Sequence, residues 1–441
     1  MSLFHLFRVS YLQKFLAVLR RDGPGEALGR AAYYIRLIAF GEGRSAVSNG
    51  SGSPGHAFAP YWESIASENA FKLTTAPALQ MQRRRIAVIG DLNLPQCRKY
   101  RVQQLEELWA TGGIDVTYSH FEDFPRCADI LQSASHVLFY RLSQSPLVSA
   151  YLYEARRLGL PSLYDIDDPL FSVPAYATYS NAATFSAGLR SHFISQAPLY
   201  AAVMNACDAI SVSTPALREH AGLFSSRPIF VRRNFADKAS LDGGSLAAAA
   251  VAQHGATRRD GTPFTLAFAS GSNGHEADLN TIMPDVQAFL SAAPDRRLLI
   301  LGRFDQSQLP ESILAKAEIR PFLDYVAYLK ALAAADCVVM PLTDDLFNRC
   351  KSGVRLIDAA SVGVAAVVPE VGDSSTMVRH GQTGFVVGPG DTWIEVLERM
   401  AADRNSTATM GEAARHHLET EWSARLQQPV IEPEMVEWIK A

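Results

Sequence analysis

FTLAFASGSNGHEADLNTIM, residues 264–283, decides how the chain is organised. Its first part is apolar and small, as a buried strand requires, and it runs out at Ser270-Gly271-Ser272 into a helix predicted from Ala277 to about Ala292. Strand, turn and helix make the opening unit of a parallel sheet. The alternation then continues through the strands RRLLILG (296–302) and EIRPF (318–322), the helix YVAYLKALAAAD (325–336) and the strand CVVMPL (337–342). The helix GVRLIDAASVG (353–363), the strands AAVVPE (365–370) and GFVVG (384–388), and a helical region from Trp393 complete it.

An earlier series of the same kind precedes this one. It begins near Arg84, where RRRIAVIG (83–90) gives a basic lead into a β-branched run closed by glycine. A helical RKYRVQQLEELWATGG (98–113) follows, then strands at IDVTYSH (114–120), HVLFYRL (136–142), PSLYDIDD (161–168) and AISVST (209–214), with helical segments between the later ones. The series ends near IFVRRNF (229–235). The sequence therefore predicts an α/β chain with two tandem Rossmann-like, doubly wound units, 84–235 and 263–414, joined by a connection at 236–262. Ligands of such sheets sit beyond the carboxyl ends of the strands, so both units are expected to face one central cleft. The C-terminal segment 415–441 is expected to pack back on the first unit.

Composition narrows the function classes. With 441 residues, 48% of them apolar, the chain can bury more than one core. A net charge of −4 offers no global attraction to nucleic acid. Cys97, Cys127, Cys207, Cys337 and Cys350 are scattered without C-x-x-C spacing, which suits a reducing, cytoplasmic setting and argues against disulfides and zinc. No apolar run is long enough to span a membrane. VSYLQKFLAVLRR (9–21) is a basic amphipathic helix, and ALGRAAYYIRLIAF (27–40) repeats the pattern with Arg30 and Arg36. Residues 1–44 are expected either to pack on protein or to lie on an anionic membrane surface, with 45–83 as a linker that opens Gly/Ser-rich.

AADCVVMPL (334–342), NRCKSGVRLIDAASVG (348–363) and VRHGQTGFVV (378–387) resemble the donor domain of the retaining GT-B glycosyltransferases of family four. The likeness is strong from residue 264 onward and weaker back to residue 84. It implies a GT-B fold and transfer of a sugar from a nucleotide-diphosphate sugar to a glycan or lipid-linked acceptor, in surface polysaccharide or lipopolysaccharide assembly. It also implies no metal and no cofactor beyond the donor substrate. A same-fold nucleotide-sugar epimerase and an inactive binding or scaffold protein remain as alternative readings.

Negative charge grows on the departing diphosphate in such a reaction, so cations and backbone amides aimed at it are the largest expected catalytic contribution. Arg349, Lys351 and Ser352 stand just before a helix whose first-turn N–H groups can face the same anion. A solvated basic turn with Ser352 as a helix cap is the plainer reading. The resemblance places Asp358 at the nucleotide ribose, and puts Cys350 where the family carries a glutamate for the donor sugar. In place of the family's arginine and lysine after the first donor strand the chain offers Ser270, Gly271, Ser272 and His275. His275 is expected to donate to a phosphate, gaining from protonation there, or else to cap the next helix. Arg303, Phe322 and Tyr325 fall where the family frames the base, although Phe322 suits a core equally.

The carboxylates of PSLYDIDD form a D-x-D at Asp165 and Asp167, the spacing that holds a divalent metal in single-unit, GT-A-type transferases. In a two-unit chain the resemblance instead places Asp165 at the reacting sugar, as an orienting or stabilising group, with Asp167 and Asp168 as alternates. Carboxylates this close repel, which raises at least one pKa. Asp167 and Asp168 also suit a turn before Pro169. Arg98, Lys99 and Arg101 suit an acidic acceptor or mere solvation, and Arg141 is placed to pair with the carboxylate cluster.

Overall fold

The computed structural model describes residues 84–253, 262–271, 275–424 and 430–441, together with a few helical positions between 16 and 32. Apart from those positions, the amphipathic segments 9–21 and 27–40, the linker 45–83 and Ser272 lie outside the described residues. Residues 1–74 and 75–441 are separate compact units.

Two six-stranded parallel sheets form the frame of the unit 75–441. In the first, β1 (Arg85–Gly90), β2 (Asp115–His120), β3 (His136–Tyr140), β4 (Ser162–Ile166), β5 (Ala209–Val212) and β6 (Ile229–Val231) lie in the order β2-β1-β3-β4-β5-β6. In the second, β7 (Phe264–Gly271), β8 (Arg296–Gly302), β9 (Ala317–Arg320), β10 (Cys337–Val339), β11 (Ala365–Pro369) and β12 (Gly384–Val387) lie in the order β12-β11-β10-β7-β8-β9. The strand order reverses between β1 and β3 and between β7 and β10, and such reversals open a crevice at the carboxyl edge. Strands β3 and β4 are buried at every position, and β4 carries Ser162 and Asp165 into that interior.

Three local departures from the sequence reading shape the site. The helix predicted from Ala277 is split into Glu276–Asn280 and Met283–Ala292, with Pro284 opening the second piece. Proline has no N–H and suits a first helical turn, so the chain restarts there. Residues 98–113 do not form one regular helix: Lys99–Gln103 make a wider, π-type turn between Pro95–Arg98 and Gln104–Ala110. That turn buries Tyr100, Arg101 and Val102 together. Finally, the connection at 236–262 is largely the helix Lys238–Gln253, whose Leu241 and Ala247 join the core of the second half with Leu329 and Ile357. Gly244 is where this helix crosses Ser361 so closely that a Cβ would strike the Ser361 carbonyl.

The chain ends against the first sheet. Met435 and Ile439, on the helix Pro433–Lys440, share a core with Ile86, Val88 and Leu138, and Ile431 bridges to Arg232.

Candidate active site

A cleft of about 1120 Å³ lies between the two halves, lined by residues that follow the carboxyl ends of strands in both sheets. Its donor-side wall is built at the junction of two helices. Asp345 caps the helix Leu346–Arg349, its Oδ1 accepting from the Asn348 amide at 2.8 Å, and Lys351-Ser352-Gly353 then lead into the helix Val354–Ser361. Lys351 and Ser352 both line the cleft. Lys351 Nζ donates to the Tyr179 hydroxyl at 3.1 Å, and Ser352 Oγ accepts from Asn234 Nδ2 at 2.7 Å. Arg355, in the first turn of the second helix, also lines the cleft and donates to the Ala269 carbonyl at 3.1 Å. Two cations and a helix N-terminus thus share one wall, which suits a polyanion.

Asp358 sits one turn further along and reaches the same cleft. Its Oδ1 accepts from the Tyr100 hydroxyl at 2.5 Å and from the Tyr325 hydroxyl at 2.8 Å. Burial pushes the carboxyl up, against the pull of Lys99 and the two phenols. Tyr325, expected beside a nucleobase, therefore stands at this carboxylate. Tyr100 comes from the first half, so the contact crosses the cleft.

His275 lines the cleft, with Nδ1 2.8 Å from Asp278 Oδ2. Burial holds the imidazole down at about 4, assisted by Arg355 and Lys351 and opposed by Asp278. The ring is accordingly neutral near pH 7, with Nδ1–H donating to Asp278. In that tautomer Nε2 accepts, and the side chain makes no capping hydrogen bond to the helix Glu276–Asn280. Ser270 is buried against the cleft and donates to the Arg303 carbonyl at 2.6 Å. Gly271 ends β7, and the exposed Arg303 side chain is outside the lining. Phe322 is 53% exposed on the rim, so it is no core residue.

The first half corrects the sequence reading most. Asp165 does not face the cleft: it is fully buried and accepts from Arg101 through Nε at 2.8 Å and Nη2 at 2.6 Å, and from Arg232 Nη2 at 3.1 Å. Burial pushes its carboxyl up, but Arg101 and Arg232 outweigh burial and hold it below the usual range. Arg101, expected on the acceptor side, is equally buried. Its Nη1 donates to the Arg232 carbonyl at 2.6 Å, so it joins the π-type turn, β4 and the end of β6. Arg98 lies outside the lining too, over the Tyr118 ring at 5.6 Å.

Asp167 and Asp168 do line the cleft. Arg141 Nη1 donates to Asp167 Oδ1 at 3.0 Å and to Asp168 Oδ2 at 3.2 Å, while its backbone amide donates to the Asp165 carbonyl at 2.9 Å. Arg141 is the one non-glycine residue at positive φ, +51°, among the described residues, and this left-handed turn at the end of β3 brings its backbone amide to Asp165 and its guanidinium to Asp167 and Asp168. Burial and the neighbouring Asp167 raise Asp168, opposed by Arg141 and Lys351. The expected repulsion therefore falls on Asp168.

Arg349 is a further correction. Its side chain is 59% exposed and forks onto Asp344 at 2.6 and 2.9 Å, outside the cleft. Arg349→Ala is expected to leave nucleotide affinity and turnover unchanged, measured by calorimetry and initial rates, because an exposed pair is screened and contributes little. Cys350, buried with its thiol pushed up to about 12 mainly by burial, lines no part of the cleft and packs in the core with Phe347.

Several residues at the cleft or holding its lining escaped the sequence reading: Tyr100, Asn234 and Arg355 line it, Tyr179 holds Lys351 and Asp278 holds His275. Arg355 was legible, since it stands four positions beyond Lys351 in the same block. The others depend on contacts across more than ninety residues, such as Asn234 with Ser352, and no local pattern marks them.

Residues 265–403 match the family model described as glycosyl transferases group 1. A GDP-mannose-dependent monoacylated alpha-(1-6)-phosphatidylinositol monomannoside mannosyltransferase of Corynebacterium glutamicum is 30% identical over 149 residues, 32% of this chain and 38% of that protein. The chain thus matches little more than a third of the length of this curated relative. Sucrose-phosphate synthase of Thermosynechococcus elongatus superposes with a TM-score of 0.53 at 16% identity, over 78% of this chain and 96% of that one. Anabaena HepE, solved with UDP and glucose, gives 0.51 at 16% identity with the same coverage.

Proposed function

We propose, from the match of residues 265–403 to the group 1 glycosyl transferases and from a fold of the GT-B type, that the chain moves a sugar from a nucleotide-diphosphate sugar to a glycan or lipid-linked acceptor. The observation that carries this is the wall of Lys351, Ser352 and Arg355 at a helix N-terminus, facing Asp167, Asp168 and Arg141 across one cleft. The first set suits a diphosphate. The second borders the place where a sugar attached to it would meet an acceptor.

In this reading Lys351, Arg355 and the first amides of the helix Val354–Ser361 hold the diphosphate and gain strength as its bond to the sugar breaks. Asp358 serves the nucleotide ribose, exchanging phenol partners for ribose hydroxyls. Asp167 and Asp168, held by Arg141, orient the sugar and the incoming hydroxyl. We propose retention on the family resemblance alone, and transfer without a metal at the D-x-D because Asp165 is spent on two arginines and Asp167 and Asp168 share a third. The Corynebacterium relative, named for a phosphatidylinositol mannoside, favours a lipid-linked acceptor. Assembly of surface polysaccharide or lipopolysaccharide at the cytoplasmic face of a membrane is the setting that fits, with residues 1–44 as the surface contact. Among the described residues no helix is long and apolar enough to cross a membrane.

A panel of nucleotides and nucleotide sugars, read by thermal unfolding with and without chelator, tests the proposal. One nucleotide diphosphate and its sugar should stabilise the fold, by about 2.7 kcal/mol at a hundred times Kd, with no change on chelation. No stabilisation by any nucleotide would overturn the reading. Stabilisation that disappears with chelator and returns with manganese would overturn the metal-free mechanism.

A further inference from the structure

Three consecutive residues of the first half each hold a side chain of the second half. They follow the helix Val173–Thr178, beyond the Asp167–Asp168 turn, and so belong to the acceptor side. Tyr179 accepts the Lys351 ammonium on its hydroxyl at 3.1 Å. Ser180 donates its amide and its hydroxyl to Asp345 Oδ2, at 3.1 and 2.7 Å. Asn181 Nδ2 donates to Asp278 Oδ2 at 3.0 Å. None of the three contacts is local, since the partners lie 172, 165 and 97 positions along the chain.

The first contact is built as a seat. The Tyr179 ring stacks on Phe347 with centroids 4.1 Å apart and planes 18° from parallel. Lys351 Nζ lies 4.8 Å from the Tyr179 centroid and 5.6 Å from that of Phe347. An ammonium held by two aromatic faces and one phenol oxygen has lost most of its rotamer freedom, yet it keeps donors for a ligand. The second contact fixes the base of this seat. Asp345 caps the short helix that carries Phe347 and delivers the chain to Lys351, so Ser180 ties the strap to that helix.

We propose that Tyr179 is a positioning residue for Lys351. Through it, the acceptor half sets the ammonium that meets the donor's diphosphate, and the diphosphate site is complete only where residues 179–181 are docked on the donor half. The inference rests on the assignment of Lys351 to the diphosphate. Without the phenol oxygen Lys351 keeps its charge but not its fixed placement. The effect should therefore fall on turnover, where the contact must track the leaving oxygen, more than on ground-state nucleotide affinity.

A double-mutant cycle tests this with Tyr179→Phe, which retains the stacked ring, together with Lys351→Ala and the pair. Tyr179→Phe should lower kcat by about tenfold, as for one hydrogen bond to a charged group, with KM for the nucleotide sugar changed far less. In the Lys351→Ala background it should have no further effect on kcat. Additive losses, or an equal fall in kcat and thermal midpoint, would make Tyr179 a packing residue and overturn the inference. An unchanged kcat in Tyr179→Phe would overturn it too. Full activity in Lys351→Ala alone would instead defeat the assignment of the diphosphate site, so the two failures are distinct.

Discussion

Asp165→Asn is expected to cost the fold about 3–5 kcal/mol, because it leaves the Arg101 and Arg232 guanidinium groups buried together without their shared counter-charge. The existing balance is already uneven. Burial and the neighbouring Arg101 push Arg232 down to about 10 even with Asp165 in place, and two of its nitrogens, Nε and Nη1, find no partner. Removing the carboxylate removes the counter-charge that both arginines touch. Urea unfolding read by fluorescence measures the loss as a lower midpoint at unchanged slope. The pH dependence has a definite sign. A carboxyl held below its unfolded value stabilises the fold fully above that value, near about 4, and loses the contribution as pH falls through the folded one. The gap between wild type and variant should therefore be constant through neutral pH and close only in strong acid. Wild-type stability with turnover lost would return Asp165 to the cleft.

Lys351→Ala should leave the fold intact and cut turnover by roughly a hundredfold, close to 3 kcal/mol, with nucleotide affinity falling less. The side chain lies at a cleft wall, so truncation opens space already open to solvent. What disappears is a cation whose contact strengthens as charge moves onto the diphosphate. Asp358→Asn gives the contrast: ribose contacts are the same in ground and transition states, so affinity should fall and turnover hold. Calorimetry and initial rates on both variants separate the two patterns.

The two-sheet architecture was legible because strands buried on both faces leave apolar runs, as at Leu298–Leu301 of β8 and Ala365–Val368 of β11. Lys351, Ser352 and Asp358 were legible for a related reason, since one short loop and one helix bring all three to the cleft. Asp165 was misplaced because strand counting locates the end of β4 but not the side on which each aspartate falls. Asp165 turns to Arg101 and Arg232, and only beyond the strand, at Asp167 and Asp168, does the chain open to the cleft. Its partners lie 64 and 67 positions away, one of them turned inward by the π-type turn at Lys99–Gln103, which has no signature in composition. Arg349 failed differently. A basic cluster names a region, and Asp344, five positions back, decides which of its members faces solvent.

The most direct test of the transfer reaction is mass spectrometry of the products formed from an isotope-labelled nucleotide sugar that the protein binds, supplied with an extract of lipid-linked glycans. The account predicts label in a glycan or lipid product, with an equal amount of nucleoside diphosphate released, and both nearly abolished in Lys351→Ala. Label confined to a rearranged nucleotide sugar, or intact donor recovered from a protein that binds it, would contradict it, pointing to an epimerase in the first case and a binding protein in the second.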